Sequence, residues 1–382
     1  MKKIILLGFA LLCLFVSCKK EEEPAPSSTR TVLAYMIAGN NLEEDMKANI
    51  RNMLKGLSEL RKTSRLVIYW DGNSGSPKIS CYTVSADGKV AAEKVQRTYK
   101  QQNATDEQVM QTVLTDMIRM NPAESYGLIL SAHGTGWVPA DKALKGGDRK
   151  AVGPDKGKWM EIPAMARAIY KSMSRPFDFI LFDACLMSDV QVAYELRNST
   201  RYIIASVAEV LSEGFPYQQM MPYLYSDSEV DYTIAMPATY IQYYQNKANP
   251  WGTIATIRCS ELEALAAAMK ATLNQYTHRL ADFKVTDVQH YDRYEVGFVY
   301  AISDLKDFVL QLAAPDVPYT LLYQLDRTMT YQGLVESSLL FPIDPMRYSG
   351  LSLYIPQADK SRWNDFFKGF EWYEAAGFSL FF

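Results

Sequence analysis

The sequence predicts an α/β protein: a mostly parallel central sheet with helices on both faces, followed by a C-terminal α+β extension. Three observations predict it. Apolar runs such as "GLILS" and "FDFILF" are too continuous for half-exposed strands and suit strands buried on both sides. Amphipathic segments separate these runs, which is the rhythm of strand, helix and strand. After about residue 225 that rhythm gives way to helices rich in Tyr, Met and Ala, with only isolated strands.

The chain of 382 residues is 48% hydrophobic, enough for one large core or two modest ones. Its formal net charge of -3 offers no basic footprint for nucleic acid. At the N-terminus, Lys2 and Lys3 precede an apolar stretch from Ile4 to Val16 that is too short for a permanent membrane span, so residues 1–17 read as a secretory signal peptide. The stretch ends in "LFVSC", which resembles the lipobox of bacterial lipoproteins with Cys18 as the lipidated first residue. "KKEEE" and "PAPSST" cannot bury a core, so residues 18–30 are expected to be a flexible tether. Of five cysteines, Cys13 leaves with the signal and Cys18 carries lipid. Cys81, Cys185 and Cys259 remain, an odd number, so at least one stays unpaired or pairs between chains and a disulfide framework is not the organising principle.

Taken in order, "RTVLAYMIAGNN" reads as a strand, and Leu42, Met46, Ile50, Leu54 and Leu57 mark the apolar face of the next helix. "SRLVIYWDG" and "KISCYTV" read as strands, the second with Cys81 packed inward. "TDEQ", Thr105 to Gln108, fits a capping box for a helix that Asn121-Pro122 stops. "SYGLILSAHGTGW" is a buried strand, and the Gly-, Lys- and Asp-rich stretch that follows, residues 138–158, reads as a long loop. Residues 161–173 look helical, "FDFILFDAC" is a strand, "MSDVQVAYELRNS" a helix and "RYIIASVAEV" a strand. Farther on, "WGTIATIRC" is a strand closed by Cys259, Ser260 and Glu263 suggest a second capping box, and "YSGLSLYIP" is a last strand.

Two buried strands end in residues that carry chemistry: Ala132-His133-Gly134 and Asp183-Ala184-Cys185. In a parallel sheet both ends face one edge, so a thiol and an imidazole distant in sequence can meet there as nucleophile and proton acceptor. A helix starting near Met187 would turn its positive end toward Cys185 and favour the thiolate. Gly134 would let its backbone N–H approach an oxyanion. Taken alone, Cys185 reads more readily as a packed core residue than as a nucleophile, and Asp183 has the alternative of a cap or a structural hydrogen-bond acceptor. His278 and His290 have no companion at metal-ligand spacing.

"SAHGTGW" and "FDACLMS" resemble the paired motifs of the clostripain family of cysteine peptidases, within the caspase-like clan. "AYMIAGNNLEED", "ASVAEVLSEGFPY", "DLKDF" and "GLSLYIP" resemble further blocks, so the likeness runs over roughly residues 31–356. It implies a caspase-like three-layer sandwich, with a catalytic domain over residues 31–225 and a region 226–382 that completes the sheet and adds helices. It implies Cys185 as nucleophile, His133 as general base and acid, the backbone N–H groups of Gly134 and Cys185 as oxyanion hole, and Asp183 with Glu209 as the binding site for Arg or Lys. Val207-Ala208-Glu209-Val210 departs from the family in carrying fewer acidic residues. The resemblance also implies self-cleavage in the 138–158 loop, and Lys150-Ala151 is the favoured bond. It leaves calcium open, although no EF-hand-like loop is visible, and implies no other cofactor. The expectation is a monomeric zymogen anchored to the bacterial outer membrane by lipid, with protein or peptide substrates. The alternatives are a catalytically silent surface lipoprotein binding peptides or glycans, and an acyl transferase using the same thiol.

Overall fold

The computed structural model describes residues 30–139, 152–291, 300–337 and 339–381. Cys18, the signal peptide and the Lys150-Ala151 bond lie outside the described residues. The chain runs β1 (Arg30–Ala38), α1 (Glu43–Ser58), β2 (Ser64–Gly72), β3 (Lys78–Val84), β4 (Lys94–Thr98), α2 (Glu107–Met120) and β5 (Ser125–Ser131), then a small sheet of β6 (His133–Gly134), β7 (Val152–Asp155) and β8 (Lys158–Met160). It continues with α3 (Ile162–Ser172), β9 (Phe177–Asp183), α4 (Val190–Leu196), β10 (Thr200–Ala205), α5 (Tyr217–Leu224), α6 (Met236–Gln245), β11 (Thr253–Arg258), α7 (Leu262–Gln275) and α8 (Thr277–Leu280). The last elements are β12 (Ser303–Asp304), α9 (Leu305–Ala313), α10 (Tyr319–Thr328), β13 (Met329–Leu334), β14 (Ser352–Leu353), α11 (Ser361–Phe367) and α12 (Glu371–Ala375).

A nine-stranded sheet in the order β13-β11-β10-β9-β5-β1-β2-β3-β4 organises these elements. Its five central strands, β10 to β2 in that order, are parallel, while two antiparallel strands flank them on each side. β1 is buried along its whole length. Its alternate residues enter opposite cores: Leu33, Tyr35 and Ile37 pack with Met110, Val113 and Met117 of α2. Val32, Ala34 and Met36 pack instead with Met46 and Met53 of α1 and with Met220 and Met221 of α5. Each large apolar side chain so enclosed contributes about 1.5–3 kcal/mol. Two apolar faces demand two helical layers, and the expected three-layer α/β sandwich follows.

Several local expectations are corrected. The cap of α2 is Asp106, whose carboxylate accepts the Gln108 and Val109 N–H groups; Thr105 instead binds Asn103 and the Lys158 carbonyl. Ser260 and Glu263 form no capping box, because a 3₁₀ turn at Cys259–Glu261 leads into α7 and Glu263 is engaged by Tyr194 and Arg197. "YSGLSLYIP" contributes only the two residues of β14, paired with β12. The end of the long Gly- and Lys-rich stretch is a β-hairpin, turned by Lys156 and Gly157, both at positive φ. Its strands lack apolar alternation because polar anchors hold it: the Ala104 N–H donates to Asp155 Oδ2 at 2.7 Å, and Lys156 Nζ donates to Asp71 Oδ1 at 2.8 Å.

Arg30 is no part of a tether, since it opens β1 and is buried. Its guanidinium lies 2.8 Å from Asp178 on β9 and over the Tyr232 ring, and it donates to the Leu224 carbonyl at 3.2 Å. One side chain thus joins two sheet strands and the end of α5. Arg30→Ala leaves the Asp178 carboxylate enclosed without its closest cation, so it should cost about 3–5 kcal/mol. A fall in thermal midpoint of several degrees, measured by calorimetry, is the expected result.

Candidate active site

The site forms because β5 and β9 run parallel in a register that places Ser131 opposite Asp183 at their ends. The ladder continues one step, with the Ala132 N–H donating to the Asp183 carbonyl at 3.3 Å. Both chains then leave the sheet, one into His133-Gly134 and the other into Ala184-Cys185. Leu186 takes a left-handed backbone at φ 61°, which costs an L-residue about 1–2 kcal/mol. Two hydrogen bonds hold the turn against that cost, from the Leu186 N–H to the Ala208 carbonyl at 3.0 Å and from the Ser188 N–H to the Ser206 carbonyl at 2.8 Å. Cys185 therefore stands on a short, tight turn.

Gly134 packs on this turn so closely that a Cβ there would lie 2.5 Å from the Cys185 carbonyl oxygen. Any side chain would drive the His133 segment away from the cysteine. The two motifs line one cleft of about 470 Å³ together with Asp183, Glu209, Val210 and Asn41.

The Cys185 thiol is bonded to the segment that crosses the cleft, with the Val210 N–H donating to Sγ at 3.3 Å. Burial pushes this thiol up to about 11; the Val210 N–H opposes the rise, and the charges of Glu209 and Asp183 add to it. The expected helix end does not help. α4 begins only at Val190, and Asp189 caps it by accepting from Gln191 and Val192, because an Asp N-cap satisfies the free N–H groups better than Met187 could. The resting thiol is therefore neutral near pH 7.

His133 is half-buried, and its Nε2 lies 2.8 Å from the Asn41 side-chain oxygen. Burial holds the imidazole below its ordinary range, so it too is neutral at pH 7. A neutral thiol and a neutral imidazole lining one cleft can exchange a proton when an electrophile arrives, as nucleophilic catalysis requires. His278 and His290 lie elsewhere, beside Arg279 and Tyr300.

Asp183 is buried on the cleft floor. Its Oδ2 accepts from Tyr217 Oη at 2.9 Å and from Ser131 Oγ at 3.3 Å, and no cation pairs with it among the described residues. Burial pushes its carboxyl up to about 6, against the pull of the two hydroxyls. Gly214, at φ 70°, keeps the space beside it open, since a Cβ there would lie 3.2 Å from Asp183 Oδ2 and 2.4 Å from Asn49 Nδ2. Glu209 lies at the rim, its carbonyl accepting from Trp251 Nε1 at 2.8 Å. No group of three or more His, Cys, Asp or Glu suited to a metal occurs among the described residues.

Asn41, Val210 and Gly214 fell within quoted blocks without a role being assigned, and Asn49 was not singled out in the sequence. Asn49 carried a signal, being a polar residue on the apolar stripe of α1 between Met46 and Met53. Val210 carried none, because it acts through its backbone.

The model of the clostripain family matches residues 34–338. The fold is similar to that of a secreted cysteine protease from Bacteroides thetaiotaomicron in complex with an irreversible peptide inhibitor, at 26% identity and a TM-score of 0.78, over 92% of this chain and 99% of the other. It is also similar to an inactive protease zymogen from Parabacteroides distasonis, at 29% identity and a TM-score of 0.78, over 91% of this chain and 98% of the other. No curated protein matches the chain.

The neutral thiol has a measurable consequence. Alkylation of Cys185 by iodoacetamide in the substrate-free protein should be slow at pH 7 and rise about tenfold per pH unit toward pH 10, following the thiolate fraction. A rate already at its plateau below pH 7 would mean a standing thiolate-imidazolium pair and contradict this account.

Proposed function

The chain belongs to the clostripain family and is a cysteine peptidase, and from that premise we propose that it is an endopeptidase cutting after Arg or Lys, with Cys185 as nucleophile and His133 as base and acid. The observation that carries the reading is the convergence of Cys185, His133, Asp183 and Glu209 on one cleft. Sγ attacks the scissile carbonyl while the imidazole takes its proton; the imidazolium then protonates the leaving amine, and water hydrolyses the thioester. Backbone N–H groups of Gly134 and Cys185 stabilise the oxyanion. A buried carboxylate with only hydroxyl partners gains most from a guanidinium or ammonium, which supports Asp183 as the anchor of the basic side chain. Glu209 adds negative charge at the rim.

Self-activation by a cut at Lys150-Ala151 is part of the same proposal. The chain beyond that bond is held in place: Val152 and Gly153 pair with Gly134 and His133, and Asp155 and Lys156 are anchored to the first half of the fold. Both products share the sheet across β5 and β9. A lipid on Cys18 and residence at the outer membrane complete the reading, supported by "LFVSC" and the charged stretch after it. No helix among the described residues is long and apolar enough to cross a membrane.

Cys185→Ala should abolish turnover of fluorogenic peptides ending in Arg or Lys with the thermal midpoint unchanged; residual turnover above about one part in a thousand would refute the assignment. In Asp183→Asn the same peptides should lose most of their kcat/KM. For the wild type, a carboxyl with its pKa raised to about 6 is ionised above pH 6 and neutral below it. KM for Arg peptides should therefore climb as pH falls through 6, and a flat KM would argue for another anchor. Lys150→Ala should stop the appearance of two fragments on a denaturing gel, whereas the cut wild type should still elute as one species by size exclusion.

A further inference from the structure

We infer that Asn41 is a positioning residue for His133, making the proton relay a chain of cysteine, histidine and asparagine; this rests on the peptidase reading above. The contact is direct, at 2.8 Å between Asn41 Oδ1 and His133 Nε2. An amide oxygen can only accept, so the hydrogen of the neutral ring sits on Nε2 and the lone pair on Nδ1. Among the described residues nothing bonds Nδ1. Asn41 therefore selects the tautomer whose free nitrogen can take the Cys185 proton: the Sγ–H bond breaks as the Nδ1–H bond forms, and the resulting imidazolium keeps its Nε2–H bond to the amide oxygen.

The second observation is how firmly Asn41 is held. Asn40 braces the turn, with Oδ1 accepting the Leu42 N–H at 2.8 Å and Nδ2 donating to the Ile37 carbonyl at 2.8 Å. The same Nδ2 donates to the Pro154 carbonyl at 3.0 Å, and the Lys156 N–H donates to the Gly39 carbonyl at 3.3 Å. Pro154 and Lys156 belong to the hairpin whose strand β7 pairs with His133-Gly134. Asn73 closes the arrangement by donating to the Asn40 carbonyl at 2.8 Å and to Glu43 at 2.7 Å. The turn carrying Asn41 and the strand carrying His133 are thus clamped to one hairpin, so the imidazole and its acceptor keep their separation. Other titratable groups on the cleft are Asp45, Asp183, Cys185 and Glu209, and burial is the cause of the His133 shift.

The test compares Asn41→Ala and Asn41→Asp in the full-length protein. Asn41→Ala should lower kcat about 10- to 100-fold with KM for an Arg peptide nearly unchanged, as expected for a misplaced proton acceptor. Asn41→Asp preserves an acceptor and sets a negative charge against the ring. It should recover most of the lost kcat and move the acid limb of the rate profile up by about one pH unit. Full kcat in Asn41→Ala with an unmoved profile would overturn the assignment, as would a change confined to KM. Heteronuclear NMR of the His133 ring nitrogens in Cys185→Ala provides a readout without turnover. An Nε2–H tautomer that is lost in the Cys185→Ala, Asn41→Ala double variant supports the inference, and an Nδ1–H tautomer with Asn41 intact overturns it. Failure of the peptidase reading itself would appear separately, as a wild type that cleaves no peptide.

Discussion

Everything at the cleft depends on the parallel register of β5 and β9. Because Ser131 faces Asp183, the residues two positions beyond each, His133 and Cys185, leave the sheet at the same edge and line one cleft. A slip of one residue would exchange inward and outward faces along a strand buried on both, so the two apolar cores fix the register. The chemistry is positioned by packing that contains no catalytic group.

Much of this was legible in the sequence. Continuous apolar runs identified the buried strands, and the topology of a parallel sheet brought the His133 and Cys185 motifs to one edge. What escaped was governed by local polar bonding. Asp106 and Asp189 displaced the expected helix starts because a carboxylate one or two residues farther on made the better cap. The hairpin after residue 151 hid in a stretch without alternation because only Val152 and Met160 enter the core and Asp155 and Lys156 supply polar anchors. Asn41 and Val210 lay inside blocks that carried the resemblance, but their roles were not legible, since one acts across 92 positions of sequence and the other through its main chain.

The electrostatics of the cleft follow from enclosure. Both Cys185 and Asp183 are pushed toward their neutral forms, and His133 is as well. Among the described residues no cation pairs with Asp183, although one would have stabilised the empty protein. A buried carboxylate held only by two hydroxyls is an example of local stability given up at a cleft.

The buried Arg30 at the start of β1 also sets an orientation. The cleft lies where the parallel strands end, and β1 spans nine residues, roughly 30 Å at 3.3 Å per residue. Any attachment made through the residues ahead of Arg30 therefore grips the molecule at the pole opposite its cleft. A protein held that way carries its open side away from the point of attachment.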